Sequence, residues 1–296
     1  FRRLRKFANI TEIFKAFVLG VVEGITEWLP VSSTGHLILV DEFLKLKETE
    51  SFKSMFDVVI QLGAILAVVL IFWKKLFPFG KKDNKHPLSR EGFGAYVKTD
   101  IFQMWFKVIA ACLPAAVIGL LLDDWIDEHF YNPWVVSVAL IVFGIAFIVV
   151  ENRNKNVQPK VNSIDGLTYK SALIIGMFQV IAAVFPGTSR SGATIVGALL
   201  IGISRTVAAE FTFYLAVPVM FGASLLKILK YDDGFTSNQA VILAVGMIVA
   251  FAVSVFVIKF LMDYIKKHDF KGFGWYRIIL GSLVLAYFTA KTLMSQ

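Results

Sequence analysis

The chain has 296 residues, of which 57% are hydrophobic and 18% charged, against about 25% charged residues in an average soluble protein. This composition excludes an ordinary soluble enzyme, a disordered chain and a disulfide-rich scaffold, since polar surface is scarce and there is a single cysteine. The net charge of +8 does not indicate nucleic-acid binding, because an integral membrane protein keeps such an excess in cytoplasmic loops and at lipid headgroups.

The apolar stretches define the membrane topology, because a transmembrane helix needs about 20 mostly apolar residues. Two apolar regions, 12–44 and 169–203, are interrupted by Pro, Gly and hydroxyl residues at 29–35 and 185–192. Such backbone survives at membrane depth only where protein or a wet cavity surrounds it. Each region is therefore predicted to be a re-entrant helix pair. The six uninterrupted stretches are Met55–Trp73, Met104–Leu122, Trp134–Val150, Ala208–Ile228, Gln239–Phe260 and Phe273–Ala290.

The loop charges agree with this topology. Lys74–Lys98, Arg153–Lys170 and Lys266–Lys271 hold seven, four and three Lys/Arg residues, whereas the predicted loops Asp123–His129 and Tyr231–Asn238 hold acids and no Lys/Arg. Basic loops stay in the cytoplasm. Six crossings plus two re-entrant pairs place all three basic loops on one side and both acidic loops on the other.

An offset of 156 residues aligns the two interrupted regions, and each is followed by three full crossings. Three is an odd number, so the second copy would be inverted relative to the first, as in many transporters. The sequence therefore predicts an all-α polytopic membrane protein with six full transmembrane helices plus two re-entrant helix pairs in an inverted-topology repeat, 7–150 and 169–292. Chance alignment of Gly and Pro is the alternative. The aligned pairs are Gly20 and Gly176, Glu23 and Gln179, Pro30 and Pro186, and Ser33 and Ser189.

Ionisable residues at membrane depth are functional candidates, because an ionised side chain at the bilayer centre costs about 2.5–3.5 kcal/mol. Glu23 and Glu27 are four residues apart, which places both carboxylates on one helix face. They repel unless a cation neutralises them, and Mg²⁺ or Ca²⁺ prefers oxygen ligands. We therefore predict a divalent cation here. The alternative is a structural ion pair with Arg190.

Hydroxyl residues follow both interruptions. Ser32, Ser33 and Thr34 come after Pro30 and can cap the next helix, whose free N–H groups bind anions. Ser33 and His36 are three residues apart, so a helical turn would bring the imidazole near the hydroxyl as a nucleophile and base pair. In the alternative, Ser33 only caps the helix and His36 only bonds a carbonyl.

The second interruption repeats this chemistry. Thr188, Ser189 and Ser191 offer hydroxyl and backbone donors, and the guanidinium of Arg190 can bind two phosphate oxygens. Two helix N-termini, an arginine, a metal site and a Ser/His pair at one depth indicate a site for a phosphate or pyrophosphate group. Lower-ranked polar candidates are Asp57, Gln61, Arg205 and Glu210.

The two motifs resemble those of a known family. The run EGITEWLPVSSTGH at 23–36 and the run PGTSRSGAT at 186–194 look like the signatures of the bacterial undecaprenyl pyrophosphate phosphatases, the bacitracin-resistance protein family. The likeness extends over nearly the whole chain. It implies hydrolysis of a C55 polyprenyl pyrophosphate to its monophosphate, which recycles the lipid carrier of peptidoglycan synthesis and gives bacitracin resistance. The family site opens to the outer face of the plasma membrane.

The resemblance also implies residue roles. Glu23 and Glu27 would hold the divalent cation, Mg²⁺ or Ca²⁺, and Glu27 and Arg190 would also be catalytic. Ser33 would be the nucleophile with His36 as base or acid, and a phosphohistidine on His36 is the alternative. The phosphate ligands would be Ser32, Thr34, Thr188, Ser189, Arg190 and Ser191.

Two other function classes compete with a phosphatase. A transporter or flippase of phosphorylated polyprenyl lipid would use the same phosphate site, but it needs no nucleophile or metal. A peptide-binding membrane scaffold would not explain buried Glu and Arg. The expected partners are the polyprenyl pyrophosphate substrate and membrane lipids, with no nucleic acid and with a homodimer left open. The expected location is the bacterial inner (plasma) membrane, as a multi-pass protein.

Overall fold

The computed structural model describes residues 2–80 and 84–294, which form eleven α-helices and one short 3₁₀ turn. The α-helices are α1 Arg2–Thr26, α2 Ser33–Leu44, α3 Glu50–Ile71, α4 Trp73–Leu76, α5 Thr99–Phe130, α6 Pro133–Asn154, α7 Tyr169–Val184, α8 Arg190–Leu200, α9 Arg205–Leu229, α10 Ser237–Tyr264 and α11 Lys271–Met294.

Six of the described helices are long and apolar enough to cross a membrane: α3, α5, α6, α9, α10 and α11. Five of the predicted stretches lie within these helices, and the sixth, Met55–Trp73, extends two residues past the end of α3, so the all-α polytopic fold class is confirmed. The predicted loop at Asp123–His129 is wrong, because these residues continue α5 to Phe130. The end of an apolar stretch indicates where a helix leaves the lipid. The backbone hydrogen bonds of α5 continue beyond that point, so the helix is longer than the apolar stretch.

The first interrupted region enters and leaves at the same end of the bundle. The side chain of Glu12, early in α1, accepts a hydrogen bond at 2.8 Å from the backbone N–H of Lys47, which follows α2. Lys15 donates to the Lys45 carbonyl oxygen at 2.7 Å. The chain after α2 therefore returns to the level of residues 12–15 of α1, where the interrupted region begins, as predicted for a re-entrant pair.

The second interrupted region does the same with α7 and α8. The N–H of Lys160, before α7, donates to the carbonyl oxygen of Gly202, after α8, at 2.7 Å. The Asn154 side chain at the end of α6 also donates to the Leu199 carbonyl oxygen at 2.9 Å. This pair therefore opens at the end of the bundle where α6 finishes.

Helix α11 shows that the two pairs enter from opposite ends. At its start, the N–H of Phe270 donates to Glu151 in the last turn of α6 at 3.0 Å. Near its other end, Lys291 forms an ion pair with Glu42 of α2. Opposite entry is what an inverted repeat requires, and the division at 7–150 and 169–292 stays a prediction.

Glycines let the re-entrant helices approach their neighbours closely, as is common between helices in membranes. A β-carbon on Gly20 of α1 would lie 2.6 Å from the carbonyl oxygen of Gly246 in α10. A β-carbon on Gly176, its aligned partner in α7, would lie 2.3 Å from the carbonyl oxygen of Ala111 in α5. These backbone contacts fix the helices that end at the two turns.

Candidate active site

The two turns between the re-entrant helices are built alike. Ser32 precedes α2 and Ser189 precedes α8, and each caps its helix by accepting a hydrogen bond on its side-chain oxygen from the backbone N–H three residues later. In the described part of the chain these are the two non-glycine residues with positive φ, at 74° and 70°. Such backbone is strained and clusters at functional sites, so both turns are candidates for binding.

The structural counterparts differ from the sequence alignment by one residue. The offset of 156 pairs Ser33 with Ser189. In the structure, however, Ser189 is the N-cap of α8, and the N-cap of α2 is Ser32. The second turn has one more residue between its proline and its capping serine. Ser33 therefore corresponds in position to Arg190, and each is the first residue of its helix.

Glu27 joins the two turns. One carboxylate oxygen accepts a hydrogen bond from Nη2 of Arg190 at 3.0 Å, and the other accepts from the Ser33 hydroxyl at 2.8 Å. The Glu27 backbone carbonyl oxygen accepts a third from the Ser191 hydroxyl at 3.2 Å. The structural ion pair with Arg190, considered above as an alternative to a cation site, is therefore present, and it brings three of the predicted catalytic residues together.

Glu23 lies one turn earlier on α1 and is completely buried. Both of its carboxylate oxygens lack a hydrogen-bond partner, and so do both polar side-chain atoms of Gln179, its aligned residue in α7. A buried polar group without a partner costs about 1–3 kcal/mol, more when charged. Buried groups left unpaired in this way mark a place for a cation, a water molecule or a substrate atom.

The Glu23 carboxylate fits a divalent cation, because free carboxylate oxygens are what Mg²⁺ and Ca²⁺ bind. The side chains that the structure describes contain no group of three or more His, Cys, Asp or Glu residues that could hold a metal. Magnesium commonly takes one or two carboxylates and completes its shell with phosphate oxygens and water. The donor set therefore fits a cation shared with a bound phosphate.

Arg190 is held by protein on two of its three nitrogens. Nη2 bonds Glu27, and Nη1 donates to the Thr212 carbonyl oxygen in α9 at 3.1 Å. The Thr212 hydroxyl in turn bonds the Thr194 hydroxyl at 2.8 Å. The buried Nε is without a partner. The guanidinium is thus fixed in place, and its Nε–H and the second hydrogen of each Nη remain for a ligand.

His36 forms no hydrogen bond with Ser33. Its Nδ1 lies 2.7 Å from the Ser32 carbonyl oxygen and its Nε2 lies 2.7 Å from the Tyr276 hydroxyl oxygen. The Ser33 hydroxyl donates to Glu27 instead. The expected Ser33–His36 hydrogen bond is therefore not formed, and the carbonyl-bonding alternative for His36 is the one the structure adopts.

The other predicted phosphate ligands lie around the same point. Ser189 and Ser191 bond each other through their hydroxyls at 3.1 Å, and the Thr188 hydroxyl is buried without a partner. Thr34 is half-buried in the first turn of α2. Arg205 and Glu210 lie elsewhere, in ion pairs with Glu151 and Lys75.

A cavity of about 1060 Å³ leads to this point between α3, α5, α7 and α9. Arg190, Gln179 and Asp57 line it together with small residues such as Ala115 and Gly222. Charged residues from the ends of α2 and α9 and the start of α3 also line it: Asp41, Glu42, Glu50, Lys53, Lys227 and Lys230. The cavity thus combines an apolar wall with a polar floor, as a site for an amphiphilic ligand does.

Comparison with known proteins identifies the family. Residues 16–283 match the family described as Bacitracin resistance protein BacA. The chain belongs to this family. Curated relatives named undecaprenyl-diphosphatase include proteins of Desulfitobacterium hafniense, at 62% identity over 96% of this chain and 99% of the relative, and of Enterococcus faecalis, at 59% over 94% and 97%. Undecaprenyl-diphosphatase 1 of Clostridium acetobutylicum is 62% identical over 94% and 97%. The resemblance drawn from the motifs is confirmed.

Arg277 is a further residue of this site, which the sequence motifs did not indicate. It is completely buried in α11. Nη1 donates to the Pro30 carbonyl oxygen at 3.2 Å, and Nη2 donates to those of Gly187 and Thr188 at 3.0 and 2.7 Å. One guanidinium therefore holds both turns. The sequence does contain a signal for it, because Arg277 is the single charged residue in the apolar stretch Phe273–Ala290. A charged residue inside a membrane span is costly and is therefore a functional candidate.

Replacing Arg277 with methionine should destabilise the protein by about 2–4 kcal/mol, because three turn carbonyls lose this donor and methionine offers none. The measurement is the midpoint of thermal unfolding in detergent. The control is Lys291→Met on the same helix, whose partner Glu42 lies at the surface and whose midpoint should hardly change. Equal midpoints for the two variants would show that Arg277 does not hold the turns.

Proposed function

We propose that the chain is an integral-membrane undecaprenyl-diphosphatase, which hydrolyses undecaprenyl pyrophosphate to undecaprenyl phosphate and inorganic phosphate. The relatives that carry this name match nearly its full length. The observation that carries the proposal is the hydrogen bond from Ser33 to Glu27, at the point where Arg190 and two helix N-termini meet. By recycling the lipid carrier of peptidoglycan synthesis, this activity would give bacitracin resistance.

The phosphate groups bind between the N-termini of α2 and α8, whose free N–H groups and dipoles favour anions. Arg190 neutralises charge there, and the surrounding hydroxyls orient the phosphate oxygens. These hydroxyls belong to Ser32, Thr34, Thr188, Ser189 and Ser191. A divalent cation at Glu23 and Glu27, when bound, would neutralise further charge on the pyrophosphate.

Ser33 attacks the terminal phosphorus, and Glu27 takes the hydroxyl proton because its carboxylate already accepts that hydrogen bond. The P–O bond to the lipid phosphate breaks, and undecaprenyl phosphate leaves. Water then cleaves the phosphoserine, releases inorganic phosphate and restores Ser33. His36 serves as the second proton-transfer group. A phosphohistidine on His36 is the alternative, but both of its ring nitrogens already have partners.

The active site opens to the outer face of the plasma membrane. The cavity is lined by the first turn of α3 and the last turn of α9. These turns lie at the end of the bundle that carries the acidic loop Tyr231–Asn238, and the basic loops lie at the other end. Basic loops remain in the cytoplasm, which leaves the cavity facing outward. The prenyl tail passes along the apolar wall toward the bilayer.

Translocation of a phosphorylated lipid is the second candidate, because opposite entry of the re-entrant pairs is a transporter plan. A carrier has no use for a hydroxyl bonded to a carboxylate beside its phosphate site. Hydrolysis is therefore the favoured function.

Phosphate release from undecaprenyl pyrophosphate by the purified protein tests this proposal. EDTA should lower the rate at least about 100-fold, and Mg²⁺ or Ca²⁺ should restore it, because the cation neutralises charge during phosphoryl transfer. Glu23→Gln should need about ten times more metal for half-maximal rate, since it weakens an oxygen ligand. Glu91→Gln, on an exposed loop, is the matched control.

The outcomes separate the two parts of the proposal. Release that EDTA leaves unchanged contradicts the cation and keeps the phosphatase. No release with any metal overturns the phosphatase, and translocation in liposomes becomes the next measurement.

A further inference from the structure

Tyr276 lies on α11 and contacts His36, in the first helical turn of α2, although the two residues are 240 positions apart in the sequence. Its hydroxyl oxygen is 2.7 Å from Nε2 of His36, and the two rings stack with an interplanar angle of 3° and centroids 5.6 Å apart. Its side chain is about half exposed, at 45%. Neither the motifs nor the phosphate site accounts for this contact.

The partners of His36 determine its tautomer. Nδ1 faces the Ser32 carbonyl oxygen at 2.7 Å, and a carbonyl oxygen can only accept. The proton of the neutral imidazole is therefore on Nδ1, and Nε2 is an acceptor. The Tyr276 hydroxyl donates to it. When the ring is protonated, Nε2 carries a proton as well, and the hydroxyl oxygen accepts it.

Hydrogen bonds at both ring nitrogens hold the His36 imidazole in one orientation. Ser32 is the capping residue with positive φ, so Nδ1 is tied to the backbone of the turn itself. Without the Tyr276 hydroxyl, the imidazole keeps a hydrogen bond at Nδ1 only. The neighbouring charge on this side is Arg277, whose guanidinium is committed to the turn carbonyls.

We infer that Tyr276 is a positioning residue, which holds the His36 imidazole in one tautomer and orientation for proton transfer. The inference rests on the proposed phosphatase, in which His36 transfers a proton. Tyr276 also gives Nε2 a hydroxyl through which a proton can be exchanged.

Tyr276→Phe tests this inference, since it removes one oxygen and keeps the stacked ring. We expect kcat for undecaprenyl pyrophosphate to fall about 3- to 10-fold with KM unchanged, on the scale of one lost neutral hydrogen bond. Tyr287→Phe is the matched control on the same helix, because its hydroxyl bonds Glu42 at the surface. It should keep the wild-type kcat.

Two further readouts separate positioning from a general structural effect. With ¹⁵N-labelled histidine, the Nε2 resonance that disappears in His36→Ala should shift in Tyr276→Phe and not in Tyr287→Phe. In the His36→Ala background, Tyr276→Phe should lower activity no further. An unshifted resonance, or an unchanged kcat in Tyr276→Phe, overturns the inference. If the wild type releases no phosphate but the resonance shifts, the proposed phosphatase fails and the hydrogen bond stands.

Discussion

Replacing Ser33 with alanine is expected to lower kcat/KM for undecaprenyl pyrophosphate by more than about 10⁴-fold, the scale on which hydrolases lose activity with their nucleophile. The reason is the 2.8 Å hydrogen bond to Glu27, which in the proposed mechanism prepares this hydroxyl to lose its proton. The cap of α2 should be kept, because it is supplied by Ser32 and not by Ser33. The measurement is steady-state phosphate release.

Ser137→Ala is the control, since Ser137 is a buried serine that bonds only the Pro133 carbonyl in the same helix. It should retain the wild-type rate. The phosphoenzyme trapped after acid quenching identifies the nucleophile directly. An acid-stable phosphoserine is expected from wild type and none from Ser33→Ala. An acid-labile phosphoenzyme that persists in Ser33→Ala and is lost in His36→Ala would show that His36 is the nucleophile.

Replacing Arg190 with alanine should lower kcat/KM by about 10³-fold or more, which is the effect of removing an arginine from a phosphoryl-transfer site. The substitution removes the positive charge at the proposed phosphate site and leaves one Glu27 oxygen without its donor. Arg190→Lys keeps the charge but cannot bond Glu27 and the Thr212 carbonyl together, so we expect only partial recovery.

The control for this series is Arg205→Lys. Arg205 also pairs with a buried carboxylate, that of Glu151, but it lies away from the cavity. Arg205→Lys should lower the midpoint of thermal unfolding, whereas the activity of the protein that remains folded should change little. If Arg190→Ala keeps activity within about tenfold of wild type, the phosphate charge is neutralised elsewhere and the proposed role of Arg190 is wrong.

The membrane fold could be predicted because its signals are local in sequence. Apolar length located the six spanning helices, and Pro and Gly located the two turns. The pairing of Glu27 with Arg190 was also foreseen as an alternative, since two buried opposite charges at one depth attract. The loop charges and the aligned glycines together predicted that the two re-entrant pairs enter from opposite sides of the membrane.

The details of the site could not be predicted from spacing. The interval between Ser33 and His36 suggested a direct contact, but Ser33 is the first residue of α2 and helical side chains lean toward the N-terminus. Its hydroxyl therefore reaches back to Glu27, and His36 reaches back to the Ser32 carbonyl. Tyr276 is 240 residues away in sequence, so only the packing of α11 could reveal that contact.

The position of Arg277 in the chain sets the order in which the site can be assembled. Helix α11 is the last of the described helices, yet its arginine bonds carbonyls at positions 30, 187 and 188. A chain still on the ribosome can insert both turns while this donor is missing. Membrane proteins are made from the N-terminus onward, so the two turns gain their shared partner only after α11 has been made. Chains that stop before α11 would then reach the membrane without the arginine that joins the two turns.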